Sequence, residues 1–207
     1  MKKNLIVLVL IFFTSFSHAE TVTFKAQPIQ NSKSPFTGNI PYIQGKGFDQ
    51  VNHQMKKQLL VNDGTPIDFD SKKLYQDQHY LTIQTHLDIQ GGRSYSHEKY
   101  FVIDLKSKKI LSLNQILKRQ KLSADELSKQ IAQQISPCLD DRSANKLDLC
   151  ESTDMQYLFR NYAENNDFIH LKNAASFYLK KNILGISFDA GAYSVPFEFN
   201  LKTKQIQ

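Results

Sequence analysis

Alternation of apolar and polar residues is most regular between residues 80 and 105. One face of a strand there carries Leu81, Ile83, Thr85, Leu87 and Ile89, and its other face carries Tyr80, Thr82, Gln84, His86 and Asp88. After a turn at Gly91-Gly92, Tyr95–Leu105 returns as a second strand, in which residues 100–103 are all apolar. A period of two predicts a long hairpin, and the apolar run predicts that its second strand is covered on both faces.

Helical spacing occurs in three places. Phe48, Val51, Met55 and Leu59 form one apolar stripe that ends at Asn62-Asp63-Gly64. Ser123 and Glu126 form a capping box before Leu127, Ile131 and Ile135, and we expect Pro137 to end that helix. A third helix is predicted after Thr153, with Met155, Leu158, Phe159 and Tyr162 on one face.

Shorter segments complete the order of elements. Thr21–Ala26 alternates and predicts a strand, whereas Pro28–Gly38 has the Ser, Asn and Pro content of a loop. Four more strands are predicted at Phe168–Leu171, Ala175–Leu179, Ile183–Phe188 and Val195–Leu201. Runs of strands and runs of helices, without βαβ alternation, predict a single α+β domain with a mostly antiparallel sheet and about three helices packed on it.

The N-terminus has the three parts of a secretion signal. Lys2 and Lys3 precede an apolar run from Leu5 to Phe13, and Ser17-His18-Ala19 precedes Glu20. The apolar run is shorter than the ~20 residues that span a bilayer. We therefore expect a signal peptide at residues 1–19, a mature domain at 20–207 without a transmembrane segment, and a location in the periplasm or outside the cell. An uncleaved N-terminal anchor is the alternative.

Cys138 and Cys150 are the only cysteines. An even pair in an exported chain predicts a disulfide bond, which would stabilise the fold by about 3 kcal/mol in the chain-entropy model. Two buried thiols or half of a metal site are the alternatives, although the spacing does not match a zinc knuckle.

Charge is unevenly distributed. The chain carries +6, and without Lys2 and Lys3 it carries +4, with no Arg-rich or Lys-rich block, which argues against a nucleic-acid partner. Residues 138–168 nevertheless hold seven acids and three bases. This acidic segment, which includes Asp140, Asp141, Asp148 and Glu151, is a candidate partner-binding surface, and a solvated loop and helix face is the alternative.

Catalytic and metal-binding motifs are weak. No G-x-S-x-G elbow or phosphate loop is present, and His97-Glu98 lacks the second histidine of a zincin motif. His86 and His97 lie on adjacent predicted strands, and a metal site would require both to face one side. The sequence therefore predicts no cofactor and no metal and favours a binding protein, while a hydrolase that the motifs do not reveal stays open.

Aromatic residues offer a further candidate surface. The chain has 14 Phe and 9 Tyr. Most such residues pack in cores, but tyrosine also presents a large contact area at low entropy cost. Tyr95 and Tyr193 are accordingly candidate partner-binding residues.

Three segments together resemble a known family, the extracytoplasmic domain of lysozyme-sensing anti-sigma factors (RsiV-like). They are Tyr42-Ile43-Gln44-Gly45 before the first helix, the block Leu81–Leu117 with its double glycine, and the closing hairpin around Phe177-Tyr178-Leu179. The family also occurs ahead of some peptidoglycan deacetylases and as stand-alone envelope proteins. The resemblance covers about residues 41–201 and lies in the order of motifs rather than in identity.

The resemblance implies an envelope binding domain, with lysozyme-type enzymes as partners. Two segments depart from the family pattern: residues 93–96 after the double glycine, and residues 190–194, where the family has a proline-rich stretch. No sigma-binding segment or deacetylase domain is recognised, so neither activity is implied. A peptidoglycan- or glycan-associated module is the alternative. An immunity-type or structural role is a further one.

Overall fold

A computed structural model describes residues 22–30, 34–61, 64–91, 94–139, 169–189 and 194–207, with the backbone alone for residues 136–139. The predicted signal peptide, the acidic segment from residue 140 onwards, the helix expected after Thr153 and Cys150 all lie outside the described residues. The Cys138–Cys150 disulfide bond therefore stays a prediction.

Ten strands and three α-helices make up the described fold. In chain order they are β1 (Thr23–Pro28), β2 (Phe36–Gln44), α1 (Asp49–Leu59), β3 (Ile67–Gln76), β4 (Tyr80–Gln90), β5 (Ser94–Asp104), β6 (Lys109–Ile110), α2 (Leu113–Gln120), α3 (Ala124–Leu139), β7 (Ser176–Lys180), β8 (Ile183–Asp189), β9 (Ser194–Asn200) and β10 (Gln205–Ile206). A short 3₁₀ turn at Leu171–Asn173 precedes β7.

The strands form two sheets. The larger sheet has the order β1-β2-β3-β4-β5-β6, and the smaller has the order β10-β9-β8-β7. All pairs are antiparallel except β2 with β3, which run parallel from Phe36–Gly38 against Ile67–Phe69. The α+β class, the mostly antiparallel pairing and a total of about three helices are thus confirmed. Helices α1 and α3 lie at two of the three predicted places, and the third of those places lies outside the described residues.

The first hydrophobic core lies between α1 and the larger sheet. Val51 and Met55 of α1 are fully buried, and Leu59 is almost so, as the apolar stripe predicted. They belong to one cluster with Leu81 and Ile83 of β4. Because only one face of α1 is apolar, its polar face with Lys56 and Lys57 lies towards solvent.

The second core joins the smaller sheet to α2 and α3. Leu127, Ile131 and Ile135 of α3 are buried in one cluster with residues of β7, β8 and β9, among them Ile186 and Phe199. This core is assembled from segments that lie far apart in the chain, since residues 102–135 pack against residues 169–199.

Strand β5 contributes to both cores. Phe101 and Ile103 point into the first core, and Val102 points into the second. All three are at most 1% exposed. The prediction that this strand is covered on both faces is therefore confirmed.

Helix ends agree in part with the sequence. Ser123 accepts a hydrogen bond from the amide of Glu126 at 3.3 Å, as the capping box predicted. A second capping box, Ser112 with Gln115, begins α2 and was not predicted. The expectation that Pro137 ends its helix is wrong, because α3 continues to Leu139.

One predicted loop and one predicted strand need correction, and one strand was missed. Part of the predicted loop Pro28–Gly38 belongs to β2, and β3 was not predicted because only Ile67 and Phe69 alternate with its charged residues. The strand expected at Phe168–Leu171 is wrong in its described part, where a turn leads into the 3₁₀ segment. No helix among the described residues is long and apolar enough to cross a membrane.

Candidate functional site

Two rows of polar side chains cross one face of the larger sheet. The register pairs Asp68 with Asp88 and Asp88 with Ser96 in the first row, and Asp70 with His86 and His86 with Glu98 in the second. Directly opposed residues of antiparallel strands share a face, so these six side chains form one patch, which we call the acidic grid. Four of its six members are carboxylates.

The grid is open to solvent. Asp68 and Asp70 are exposed, and its other members are half-buried. The next row along the same face holds Lys72, Gln84 and Tyr100, and Lys72 is its only charged member. The four carboxylates of the grid and Lys72 together give a net charge of −3 when His86 is neutral, although the net charge of the whole chain is +6.

Glu98 is held in place by two neighbours. Nδ1 of His86 lies 2.9 Å from its Oε1, and the side-chain amide of Gln84 donates to its Oε2 at 2.9 Å. The side chain of His86 is 45% exposed and that of Glu98 is 28% exposed. This edge of the grid is therefore ordered by hydrogen bonds before any partner arrives.

The Asp68–Asp88 pair is electrostatically unfavourable. Like charges directly opposite each other destabilise a sheet. The hydroxyl of Thr37 donates to Oδ1 of Asp68 at 2.6 Å, which offsets part of the repulsion. A cation placed over this row would relieve the remainder, so the grid is suited to lysine or arginine side chains of a partner.

His97 lies away from the grid. It opposes Leu87 rather than His86, and the alternation of side chains places the two histidines on opposite faces of the sheet. Nδ1 of His97 lies 3.5 Å from Asp189 and 3.5 Å from the Ser194 hydroxyl, and its ring meets the edge of Tyr95. The register therefore excludes the hypothesis of a site shared by His86 and His97.

A tyrosine cluster joins the two sheets next to the grid. The rings of Tyr100 and Tyr178 lie 4.7 Å apart, and the Tyr178 hydroxyl donates to Oε1 of Glu198 at 2.5 Å. Burial, with the nearby charges of Glu98 and Glu198, raises the pKa of Tyr100 to about 12. Burial and the Glu198 contact also raise the pKa of Tyr178. Both tyrosines are therefore neutral at ordinary pH, and the Tyr178 hydroxyl acts as a hydrogen-bond donor.

Tyr178 fits its place because the opposing residue is a glycine. Gly185 lies opposite Tyr178 on one side and Glu198 on the other. A Cβ at position 185 would lie 2.1 Å from the Cζ atom of the tyrosine ring. The ring thus crosses Gly185 to reach Glu198.

An open groove of about 870 Å³ lies on another part of the surface. Its walls come from α1, from β5, from the start of α2 and from residues 171–177. The amide of Tyr100 donates to the Ser176 hydroxyl at 3.0 Å, which links β5 to β7 at the groove. The groove therefore lies at the junction between the two sheets.

Of the partner-binding residues predicted from the sequence, Tyr95 alone lies among the described residues. It is 37% exposed and contacts His97. Asp140, Asp141, Asp148, Glu151 and Tyr193 lie outside the described residues. Within the described ranges, no three His, Cys, Asp or Glu side chains are grouped to hold a metal ion.

The acidic grid was missed by the sequence analysis, although a signal for part of it exists. The polar face of β4 was identified, including His86 and Asp88. Asp68 and Asp70 belong to β3, which was not predicted, and their distance from β4 depends on the pairing of the two strands.

Comparison with known proteins gives little further information. No family model and no curated protein matches the chain. Among solved structures, a DUF3298 family protein from Pseudomonas aeruginosa PAO1 is similar over 91% of this chain and 93% of its own, with 12% identity and a TM-score of 0.43. A similarity at this level transfers no residue role to this chain.

Proposed function

We propose that this chain is an exported binding module of the cell envelope that recognises a basic protein, with a lysozyme-type enzyme as the first candidate. The acidic grid is the single observation that carries the proposal. The resemblance of the motif order to the RsiV-like family supports the choice of partner, and the N-terminal signal pattern supports export to the periplasm or beyond.

Electrostatics determine how such a partner would approach. Because the chain without Lys2 and Lys3 still carries +4, attraction to a basic protein must be local rather than long-range. At physiological salt the screening length is about 8–10 Å, so the grid can still attract a partner's charges once the two proteins have met in an encounter complex. The grid presents its carboxylates on adjacent strands, so several lysines or arginines of one partner surface can pair with them at once.

The chemistry of the grid also suits arginine. Carboxylates accept two parallel hydrogen bonds from a guanidinium group, and such pairs are stronger and more specific than single ones. Asp88 and Glu98 lie on neighbouring strands, and Glu98 is already oriented by Gln84 and His86. Preorganisation of this kind reduces the entropy cost of binding.

A charge-neutralised variant tests the proposal. Association of the purified chain with a basic lysozyme is measured at low and moderate salt, for the wild type and for Asp68→Asn/Asp70→Asn/Asp88→Asn. We expect the variant to associate about tenfold more slowly at low salt, with a flatter salt dependence, because electrostatic complementarity acts mainly on the association rate.

Two further variants locate the effect. Asp49→Asn/Asp125→Asn/Glu126→Gln removes the same charge from exposed positions at the starts of α1 and α3, and should leave association near the wild-type rate. Neutralising Asp140, Asp141, Asp148 and Glu151 tests the acidic segment separately. An unchanged rate in the grid variant, or equal slowing in the helix control, would reject the grid as the binding surface.

A further inference from the structure

The groove between the two sheets has a composition unlike that of the grid. Among the described residues, its lining includes Lys57 of α1, Lys99 of β5 and Lys172 of the segment before β7, and no aspartate or glutamate. Within the described part of the chain, neither Lys57 nor Lys99 forms an ion pair with a carboxylate. A cleft lined by one sign of charge focuses the potential, so this groove favours an anion.

The rest of the lining is suited to a polar ligand of some length. Four side-chain amides border the groove, those of Gln54, Gln58, Asn114 and Gln115. Each amide offers both donors and an acceptor, which matches hydroxyl and acetamido groups. The amide oxygen of Gln115 is already fixed by the backbone amide of Ser112 at 2.8 Å.

An aromatic side chain supplies apolar surface beside these amides. Phe177 is half-buried and lines the groove. An aromatic ring offers a large flat contact area to the C–H face of a sugar ring, and sites with apolar walls and a few placed polar groups are typical of small-ligand binding. Phosphate or a simple acid would use the lysines but neither the amides nor the ring.

We propose that this groove binds an acidic oligosaccharide, a short chain of sugars that carries carboxylate groups. The lysines would contact the carboxylates, the amides would contact hydroxyl and acetamido groups, and the Phe177 ring would lie against a sugar face. The site shares no residue with the acidic grid. Failure of either proposal would therefore leave the other standing.

Titration of the purified chain with three probes tests the ligand class. The probes are a short oligogalacturonate, a neutral chito-oligosaccharide of the same length and a poly-glutamate peptide, and backbone amide shifts report where each one binds. We expect the oligogalacturonate to shift amides at residues 54–58, 99–101, 111–115 and 171–177, and to bind at least about fivefold more tightly than either other probe. Equal affinity for the neutral sugar or the peptide, or no binding of the oligogalacturonate, would overturn the proposal.

Matched variants test the site itself. Lys57→Gln/Lys99→Gln should weaken oligogalacturonate binding about tenfold, whereas Lys56→Gln/Lys129→Gln removes the same charge from outside the groove and should change affinity less than about twofold. Ala175→Glu places a carboxylate on an exposed groove residue and should also weaken binding. Unchanged amide spectra away from the groove would establish that each variant is folded. Equal losses in both double variants would overturn the assignment of the groove.

Discussion

Strands β3 and β8 show how differently the two sheets use their faces. In β3, buried Ile67, Phe69 and Ser71 alternate with exposed Asp68, Asp70 and Lys72. In β8, every residue from Leu184 to Phe188 is buried. The larger sheet thus has one face in a core and one face open at the grid, whereas this part of the smaller sheet is covered on both faces.

The face of the larger sheet that carries the acidic grid and the corresponding face of β8 therefore differ in what their side chains contact. On β8 and its neighbours, Tyr178 and Ser187 are buried, and the Tyr178 hydroxyl donates a hydrogen bond to half-buried Glu198. On β3 and β4, the carboxylates of Asp68 and Asp88 oppose each other. A closed face is specified by packing, whereas an open face that holds like charges is available to a partner.

Gly185→Ala is expected to have the largest effect, because it disturbs the closed face. The new methyl group would overlap the Tyr178 ring, and the ring is packed against Tyr100. Overpacking together with loss of the partly buried hydrogen bond from Tyr178 to Glu198 should lower the free energy of unfolding by about 2–4 kcal/mol, measured by urea denaturation.

The same substitution in a chain that lacks the Tyr178 ring shows whether that ring causes the loss of stability. In a Tyr178→Leu chain, the added methyl group meets a smaller side chain, so Gly185→Ala should cost less than half as much. If the cost is the same in both backgrounds, the cause lies in the backbone of β8 rather than in the ring.

Asp104→Asn tests the link between the larger sheet and α2. Arg119 of α2 lies 2.5 Å from the Asp104 carboxylate and also contacts the Tyr80 hydroxyl. Burial by itself raises the pKa of Asp104, but the hydrogen bonds from the Ser107 amide and the Arg119 guanidinium outweigh burial and hold the pKa below its ordinary value. We expect the substitution to lower the free energy of unfolding by about 1–3 kcal/mol at neutral pH.

The pH dependence of this difference follows from the lowered pKa. Since the folded pKa lies below the unfolded value, the contribution of Asp104 is fully present above about pH 5 and is lost as the pH falls through the folded pKa. The stability gap between wild type and variant, measured by denaturation across this range, should therefore close in acid. A gap that stays constant down to low pH would show that Asp104 acts by packing rather than by charge.

Local patterns in the sequence predicted those parts of the fold that depend on near neighbours. The α1 stripe, the β4–β5 hairpin and strands β7 to β9 follow from periodicity and turn residues. The position of β3 does not, because its polar residues exceed its apolar ones and its partners are set by tertiary pairing.

The candidate site depends still more on register. His86 pairs with Glu98, and a shift of one residue would have placed it opposite His97 on the same face. A shift of this size exchanges every side chain between faces, and the sequence around Gly91-Gly92 does not specify the loop length. For this reason the sequence left open whether His86 and His97 meet, whereas the register separates them and forms the acidic grid.

Asp88→Asn should have the smallest effect, and it tests whether the open face carries electrostatic strain. Removing one of two opposed carboxylates should raise the free energy of unfolding by roughly 0.2–1 kcal/mol, and by less in moderate salt. Asp70→Asn is the matched control, since Asp70 opposes His86 and not a carboxylate, and it should bring no such gain. Equal gains in both variants would mean that general charge reduction, not the Asp68–Asp88 pair, is responsible. A gain confined to Asp88→Asn, together with slower association with the basic partner, would mean that this pair weakens the free chain and strengthens the bound one.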